Sequence, residues 1–228
     1  MKVSVVRNVL EANERIANQN REIFDLNRVL VINLMSSPGA GKTSLLEKTI
    51  DALKEDLKLG VIEGDVQSTR DADRIARKGI PVIQINTGGA CHLDANMVRD
   101  ALGRMEIKGL DCLIIENVGN LVCPAEFKVG EDHKVMILSV TEGDDKPEKY
   151  PLMFRESRVL LINKIDLLPY VTCSVESIME AARKIRPDLE VLEISCKTEE
   201  GLISWFEWIR REIRAKKEGE SPWGGGDD

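Results

Sequence analysis

The sequence predicts an α/β fold in which a mostly parallel, doubly wound sheet lies between two layers of helices. Seven short runs rich in Val, Ile and Leu alternate along the chain with longer amphipathic stretches. Several of these runs are apolar at consecutive positions, which is typical of strands that are covered on both faces. The stretches between them are long enough to form the crossover helices that parallel strands require.

The period of the apolar residues predicts each element in turn. From Val3 to Phe24 they fall at helical spacing, which indicates an amphipathic helix ahead of the first strand. Strands are predicted at residues 29–35, 59–64, 81–86, 110–116, 134–140, 158–163 and 189–195. Helices are predicted at residues 42–57, 68–78, 92–105, 174–186 and 200–217. We expect an N-terminal helix over residues 1–25, one domain over 26–217 and a flexible tail over 218–228.

Composition and charge exclude several classes of protein. The chain has 228 residues, of which 43% are hydrophobic, and a formal net charge of −7. That charge repels a phosphate backbone, so we expect no nucleic-acid partner. No apolar run approaches the ~20 residues that cross a bilayer, and the first residues do not form a signal peptide. We therefore expect a cytoplasmic protein without a membrane partner, whose five cysteines are free thiols or metal ligands.

The first strand leads into a glycine-rich loop, SSPGAGKT, that runs from Ser36 to Thr43 and opens a helix. In such a loop the backbone N–H groups surround a phosphate, Lys42 supplies a cation for the β and γ oxygens, and the Thr43 hydroxyl can bind Mg²⁺. Ser36 stands where the motif usually has glycine, at a position that tolerates small residues. The predicted phosphate-binding residues are Gly39, Ala40, Gly41, Lys42, Thr43 and Ser44. The loop predicts a three-layer P-loop NTPase fold.

Two later strand ends indicate which base is bound. The sequence NKID at residues 163–166 follows an apolar strand, at the edge where open α/β sheets bind ligands. The Asp166 carboxylate can accept from guanine N1–H and the 2-amino group, which adenine does not offer. Asn163 can tie this loop to the phosphate loop, and the stem of Lys164 can lie along the base. The predicted guanine-site residues are Asn163, Lys164, Asp166, Ser195, Cys196 and Lys197. GTP is therefore the expected nucleotide.

Carboxylates at two other strand ends are candidates for the Mg²⁺ shell. Glu116 ends the strand DCLIIE and begins the sequence ENVG, where many GTPases have D-x-x-G. Glu116 can reach Mg²⁺ directly or through water, and the Gly119 N–H can bind the γ-phosphate. Asp65 ends another strand at the same edge. We expect Lys42, Asp65 and Glu116 to be catalytic and Thr43, Asp65 and Glu116 to hold Mg²⁺. The alternative is that the two carboxylates are merely solvated.

A pair of cysteines and a histidine indicate a second, softer metal site. Cys91 and His92 follow another strand-to-helix turn, and Cys123 lies four residues beyond Gly119. Thiolate and imidazole suit Zn²⁺ or Ni²⁺, although free cysteines are often small buried hydrophobes. We expect that second role for Cys112, and we expect His133, at the start of a strand, to lie on the surface. Because three protein ligands do not fill a tetrahedral coordination shell, water or a second subunit must supply the remaining ligand.

These motifs resemble the HypB family, the nickel-inserting GTPases of nickel–iron hydrogenase maturation. The resemblance covers residues 4–215 and includes SSPGAGKTSLLEKTI, EGDVQSTRDADRI, NTGGACHLDANMV, IIENVGNLVCPAEFKVGE and TEGDDKPEKYP. It implies slow GTP hydrolysis coupled to nickel delivery, a GTP-dependent homodimer, and a metal site of Cys91, His92 and Cys123 near the dimer interface. It also implies that a lysine after TEGDD reaches the partner's phosphates; Lys149 is our choice and Lys146 the alternative.

The resemblance further implies a HypA-type nickel metallochaperone and the hydrogenase large-subunit precursor as partners. The chain lacks the amino-terminal cysteine cluster and histidine-rich stretch of some family members, which argues against nickel storage. Three alternatives stay open: a urease-type nickel-insertion GTPase, a nickel or zinc carrier whose nucleotide only locks the dimer, and a regulatory ATPase. Because Gly119 and Cys123 share one loop, we expect nucleotide state and metal affinity to be coupled.

Overall fold

Seven parallel strands form one sheet in the computed structural model, which describes residues 3–65 and 70–219. The strands are β1 Leu30–Ser36, β2 Leu59–Asp65, β3 Val82–Asn86, β4 Cys112–Glu116, β5 His133–Ser139, β6 Val159–Asn163 and β7 Glu190–Glu193. Their order across the sheet is β3-β2-β4-β1-β5-β6-β7, and every pair is parallel. The predicted fold class is confirmed, and all seven predicted strands are present with bounds that differ by at most two residues at either end.

Helices cover both faces of this sheet. They are α1 Val3–Asn27, α2 Lys42–Leu53, α3 Arg70–Ala76, α4 Ala95–Leu102, α5 Cys123–Glu126, α6 Lys146–Lys149, α7 Pro151–Glu156, α8 Val175–Ile185 and α9 Leu202–Glu218. The sequence did not predict α5, α6 or α7, because four to six residues are too few to show a helical period. Within the described ranges, every helix is too short or too polar to cross a lipid bilayer.

The core is divided by the sheet into two layers. On one face, Ile32 and Leu34 of β1 pack with residues of α2 and α9, including the stacked Trp205 and Trp208. On the other face, alternate strand residues pack against α1 and α4 near β4 and against α7 and α8 near β6. Apolar residues on both sides of β1 are therefore buried, as a central parallel strand requires.

Two expectations about the surface need revision. His133 was expected to be exposed, but it is 6% exposed, contacts Glu212 of α9 at 3.0 Å and lies edge-on to Trp208. That expectation is wrong because β5 is a central strand whose first residue is covered by α9. The tail was predicted to begin at residue 218, but Glu218 is helical and Gly219 caps α9, and residues 220–228 lie outside the described part of the chain.

Candidate functional site

The parallel sheet brings the predicted nucleotide residues to one edge. Ser36, Asp65, Glu116 and Asn163 are the last residues of β1, β2, β4 and β6. Because all strands run the same way, the loops that follow them lie along the carboxyl edge, where such sheets bind ligands. The phosphate loop follows β1 near the centre of the sheet, between the loops of β4 and β6.

Backbone geometry explains the glycines of the phosphate loop. Gly41 has φ 109°, and a Cβ atom there would lie 2.4 Å from the Asn163 amide nitrogen. Any larger residue would therefore separate the phosphate loop from the loop after β6. Lys42 begins α2, and its amine donates to the Ser36 hydroxyl at 2.9 Å. The serine at the unusual motif position thus helps to orient Lys42, the lysine predicted to bind phosphate.

Hydrogen bonds join the loop after β6, which is predicted to bind guanine, to the phosphate loop. The Asn163 amide donates to the Ala40 carbonyl at 2.8 Å, and the Lys164 amine donates to the Gly39 carbonyl at 2.7 Å. Lys164 takes a left-handed conformation, φ 64°, that turns the chain back toward this loop. The base and phosphate loops are therefore held at a fixed spacing.

The base-side carboxylate is held by the loop after β7. The Ser195 hydroxyl donates to Asp166 at 2.6 Å and accepts from the Lys197 and Thr198 backbone amides at 3.2 and 3.1 Å. The Cys196 backbone amide donates to the Asn163 side chain at 3.2 Å. Burial raises the pKa of the Cys196 thiol to about 11, so this side chain stays neutral near pH 7. Both predicted guanine loops thus meet at one place.

The residues predicted for Mg²⁺ are arranged beside the phosphate loop. The Thr43 hydroxyl donates to the Glu116 carboxylate at 2.9 Å, and both side chains are buried. A hydroxyl and a carboxylate are the oxygen ligands that Mg²⁺ prefers, so this pair fits the ion. Asp65 lies on the neighbouring strand β2, two residues beyond Glu63, which is in register with Glu116. The segment after Asp65, residues 66–69, lies outside the described ranges.

The sensor loop, which we define as residues 117–122, packs directly on the phosphate loop. A Cβ atom at Gly119 would approach the Pro38 nitrogen to 3.0 Å and its Cα to 3.1 Å. Any side chain at position 119 would therefore push the two loops apart by a few tenths of an ångström. The two loops therefore pack closely at Gly119 and Pro38.

The TEGDD segment contacts the phosphate loop through a residue that the sequence analysis missed. Glu142 accepts hydrogen bonds from the Ser37 hydroxyl and from the Ser139 backbone amide. The spacing Ser139-x-x-Glu142 is a capping box, which is a signal readable in the sequence. The amine of Lys146 turns back onto the Glu142 carbonyl at 2.6 Å, whereas the Lys149 side chain is 60% exposed and pairs with Asp145. Lys149 is thus the more accessible of the two lysines.

Cys91, His92 and Cys123 form a compact cluster on the outer side of the sensor loop. Their ligand atoms all lie within 4.8 Å of one another, and the two sulfur atoms are 3.1 Å apart. The His92 ring packs against the Phe127 ring with centroids 3.9 Å apart and an angle of 33° between the ring planes. Asn120 donates to the Cys91 carbonyl at 3.3 Å and so joins the two ligand loops. Phe127 and Asn120 are further residues that the sequence analysis missed.

The pKa shifts of His92 and Cys123 act in opposite senses on metal binding. Burial lowers the pKa of His92, which keeps the imidazole in the neutral form that binds metals. The hydrogen bond with Cys91, together with burial, raises the pKa of Cys123. A divalent cation would reverse that effect by stabilising both thiolates. Two thiols and an imidazole are a donor set for Ni²⁺ or Zn²⁺ rather than for Mg²⁺.

The fold and the loop geometry define a protein of the P-loop NTPase class. The family model described as the CobW/HypB/UreG nucleotide-binding domain matches residues 30–193. The chain belongs to this family and, within it, to the HypB proteins. The predicted family is therefore confirmed.

Individual relatives support the same assignment. The chain is 51% identical over 201 residues to the hydrogenase maturation factor HypB of Escherichia coli, covering 88% of this chain and 69% of that protein. It is 40% identical over 216 residues to the hydrogenase/urease maturation factor HypB of Helicobacter pylori, covering 93% and 88%. A crystal structure of Helicobacter pylori HypB in complex with nickel is similar with a TM-score of 0.86 and 36% identity, covering 94% of this chain and 100% of that one.

Proposed function

We propose that this protein is a GTP-hydrolysing metal-insertion factor that delivers nickel during hydrogenase maturation. One observation carries the proposal: Cys123 follows the sensor loop, whose Gly119 packs against Pro38 of the phosphate loop. A change at the γ-phosphate can therefore reach a metal ligand through a single short segment. The names of the relatives, as hydrogenase maturation factors, supply the pathway.

Guanine selectivity is proposed from the Asp166 carboxylate. Ser195 occupies one of its oxygens at 2.6 Å, and the hydroxyl is itself held by two backbone amides. A carboxylate fixed in this way can accept from N1–H and the 2-amino group of guanine. Adenine presents an acceptor at N1, so it would face the carboxylate with a repulsive contact.

Hydrolysis is proposed to depend on charge stabilisation by the phosphate loop. Lys42 and the N–H groups at the start of α2 bind the β and γ oxygens, and Thr43 and Glu116 would hold Mg²⁺, with Asp65 supporting that shell. When bound, Mg²⁺ neutralises charge that develops on the phosphates. Gly119 offers its backbone N–H to the γ-phosphate. We expect slow intrinsic turnover.

Dimerisation is proposed to complete both sites. Three protein ligands are fewer than the four of a closed tetrahedral site, and Cys91 is exposed, so a second copy can supply further ligands. Lys149 is exposed and can extend toward the partner's phosphates. A HypA-type metallochaperone and the hydrogenase large-subunit precursor are the proposed donor and acceptor of nickel. Thiols 3.1 Å apart need a reducing compartment to remain ligands, which favours the cytoplasm.

Two experiments test this proposal. The purified chain should hydrolyse GTP, resist competition by ATP, and lose activity in Lys42→Ala but not in Lys54→Ala, whose exposed side chain lies at the far end of α2. In cells that lack their own HypB, the chain should restore hydrogenase activity and Lys42→Ala should not. Restoration of urease but not hydrogenase would favour the urease-type alternative. Restoration by a hydrolysis-deficient variant would favour a simple carrier.

A further inference from the structure

Three polar side chains are buried among apolar core residues close to the Cys91–His92 loop and the sensor loop. Asn33 and Asn117 are fully buried, and the Glu131 side chain is 5% exposed. Asn33 lies in β1 between apolar residues, so it places an amide inside the sheet layer. A buried side-chain amide destabilises a fold unless it is hydrogen bonded. The hydrogen-bond partners of Asn33 and Asn117 therefore show which segments these side chains connect.

Asn117 is the first residue of the sensor loop, and its side chain also contacts the Cys91–His92 loop. Its side-chain oxygen accepts from the Leu93 backbone amide at 3.0 Å and from the Val118 backbone amide at 2.9 Å. Leu93 directly follows the ligand His92, and Val118 directly precedes the sensor Gly119. One buried oxygen atom therefore joins the loop of Cys91 and His92 to the sensor loop.

The contacts of Asn117 continue across the sheet. Its amide nitrogen donates to the Asn33 side chain at 3.1 Å, and the Asn33 nitrogen donates to Glu131 at 3.4 Å. The Lys134 amine lies 3.8 Å from the same Glu131 oxygen and donates to the Ala125 carbonyl at 2.5 Å.

Ala125 belongs to α5, the helix that begins at Cys123. The chain of contacts thus starts beside His92 and ends in the helix that carries the third ligand. Both halves of the metal cluster are attached to one buried polar network, and Asn117 is the member that also belongs to the sensor loop.

We propose that Asn117 is a positioning residue that sets the spacing between the Cys91–His92 loop and the sensor loop, and so controls metal affinity. A shift of the sensor loop would change the acceptor geometry at Asn117 and displace the Leu93 backbone with its neighbouring ligand. The effect on metal affinity depends only on the described contacts. Its response to nucleotide rests on the proposed function.

The test measures Ni²⁺ and Zn²⁺ affinity of Asn117→Ala by titration, first without nucleotide and then with GDP or a non-hydrolysable GTP analogue. Asn20→Ala is the matched control, because Asn20 is also fully buried and makes three hydrogen bonds, with Ala95, Val129 and Arg99, none of which involves Leu93 or the sensor loop. Without nucleotide, Asn117→Ala should bind metal about tenfold more weakly, as for residues that support metal ligands, and Asn20→Ala should stay within about twofold.

The same titrations separate failure of this inference from failure of the proposed function. If the parent protein distinguishes GDP from the analogue, Asn117→Ala should bring the ratio of the two affinities close to one. If the parent protein binds metal equally well with GDP and with the analogue, the proposed coupling is contradicted. The positioning role of Asn117 is then decided only by the metal affinities measured without nucleotide. Equal metal affinities of Asn117→Ala and Asn20→Ala would overturn that role.

A second variant covers the case in which Asn117→Ala does not fold. Folding is checked by near-ultraviolet circular dichroism of the stacked Trp205 and Trp208, whose ring centroids are 5.3 Å apart. Asn117→Asp keeps the acceptor for the Leu93 and Val118 amides and should retain parent metal affinity within about threefold. A folded Asn117→Asp with metal affinity at least about tenfold weaker would show that the acceptor contacts do not position the ligands, and would refute the proposal.

Discussion

Glu116 and Asn117 are consecutive residues whose side chains reach opposite faces of the sheet. Glu116 accepts from the Thr43 hydroxyl at 2.9 Å beside the phosphate loop, whereas Asn117 accepts from the Leu93 amide at 3.0 Å beside the metal ligands. The alternation of side chains at the end of a strand produces this arrangement. The carboxyl end of β4 therefore connects the proposed Mg²⁺ shell to the proposed nickel site within one peptide unit.

We predict that Asp166→Asn weakens GTP binding and favours xanthine nucleotides. The new side-chain amide N–H would face the 2-amino group of guanine, which is also a donor. In xanthine a carbonyl stands at that position and can accept from the amide. Loss of a buried hydrogen-bond pair should raise the GTP dissociation constant about tenfold or more. Binding of fluorescent GTP and XTP measures the change, with Asp188→Asn as a surface control. Unaltered guanine affinity would remove Asp166 from the base site.

We predict that Lys42→Ala lowers GTP turnover by about a hundredfold or more, since a cation that stabilises transferring charge is lost. Lys42 is the first residue of α2 and is only partly buried, so the unfolding temperature should change little. Phosphate release and thermal unfolding are measured on the same preparation. Turnover near that of the parent would place the nucleotide elsewhere.

We predict that Cys91→Ala and Cys123→Ala each lower Ni²⁺ and Zn²⁺ affinity by at least about a hundredfold, because even residues that only support ligands contribute about 10–100-fold. Cys112→Ala and Cys173→Ala should retain the metal, since neither belongs to the cluster. Metal content after desalting provides the measurement. Equal losses in all four variants would indicate nonspecific thiol binding.

We predict that the contact between Glu212 and His133 makes stability depend on pH in the acid range. Burial alone would raise the pKa of Glu212, but hydrogen bonds from His133 and Arg211 hold it below the ordinary value. A carboxyl whose pKa is lower in the folded state stabilises the fold above its unfolded pKa and loses this contribution as the pH falls through the folded pKa. Glu212→Gln should therefore be less stable at pH 7 by about 1 kcal/mol or less, and the difference should shrink as the pH falls below the ordinary glutamate pKa of about 4.3.

Urea unfolding of both proteins at several pH values tests this prediction. A stability difference that stays constant from pH 7 to pH 3 would contradict it. The result bears on the fold rather than on the nucleotide site, because the pair joins α9 to the amino end of β5, far from the loops at the carboxyl edge.

Local patterns were sufficient to predict the strands and the loops that carry chemistry. The β1 run and the GAGKT loop both have their signal within a few residues, and so do NKID and Cys91-His92. The buried position of His133 was not predicted, because it depends on where α9 crosses the sheet. The short helix α5 was missed because Pro124 and three neighbours show no period.

The buried polar network was also beyond prediction. An asparagine in the apolar run of β1 was visible in the sequence, but its partner Asn117 lies 84 residues away. Such pairing depends on the order of strands in the sheet, where β1 and β4 are neighbours. The chemistry of an individual loop can thus be read from neighbouring residues in the sequence, whereas the connection between the two sites depends on tertiary contacts.

The central claim is that nucleotide state and metal affinity are coupled. The most direct measurement titrates Ni²⁺ into the protein with GDP and with a non-hydrolysable GTP analogue, while the molecular mass is recorded on the same samples. We expect the two affinities to differ at least about fivefold and the analogue to shift the protein toward a dimer. Identical affinities together with an unchanged monomer–dimer balance would contradict the account, and would leave a metal site beside an independent nucleotide site.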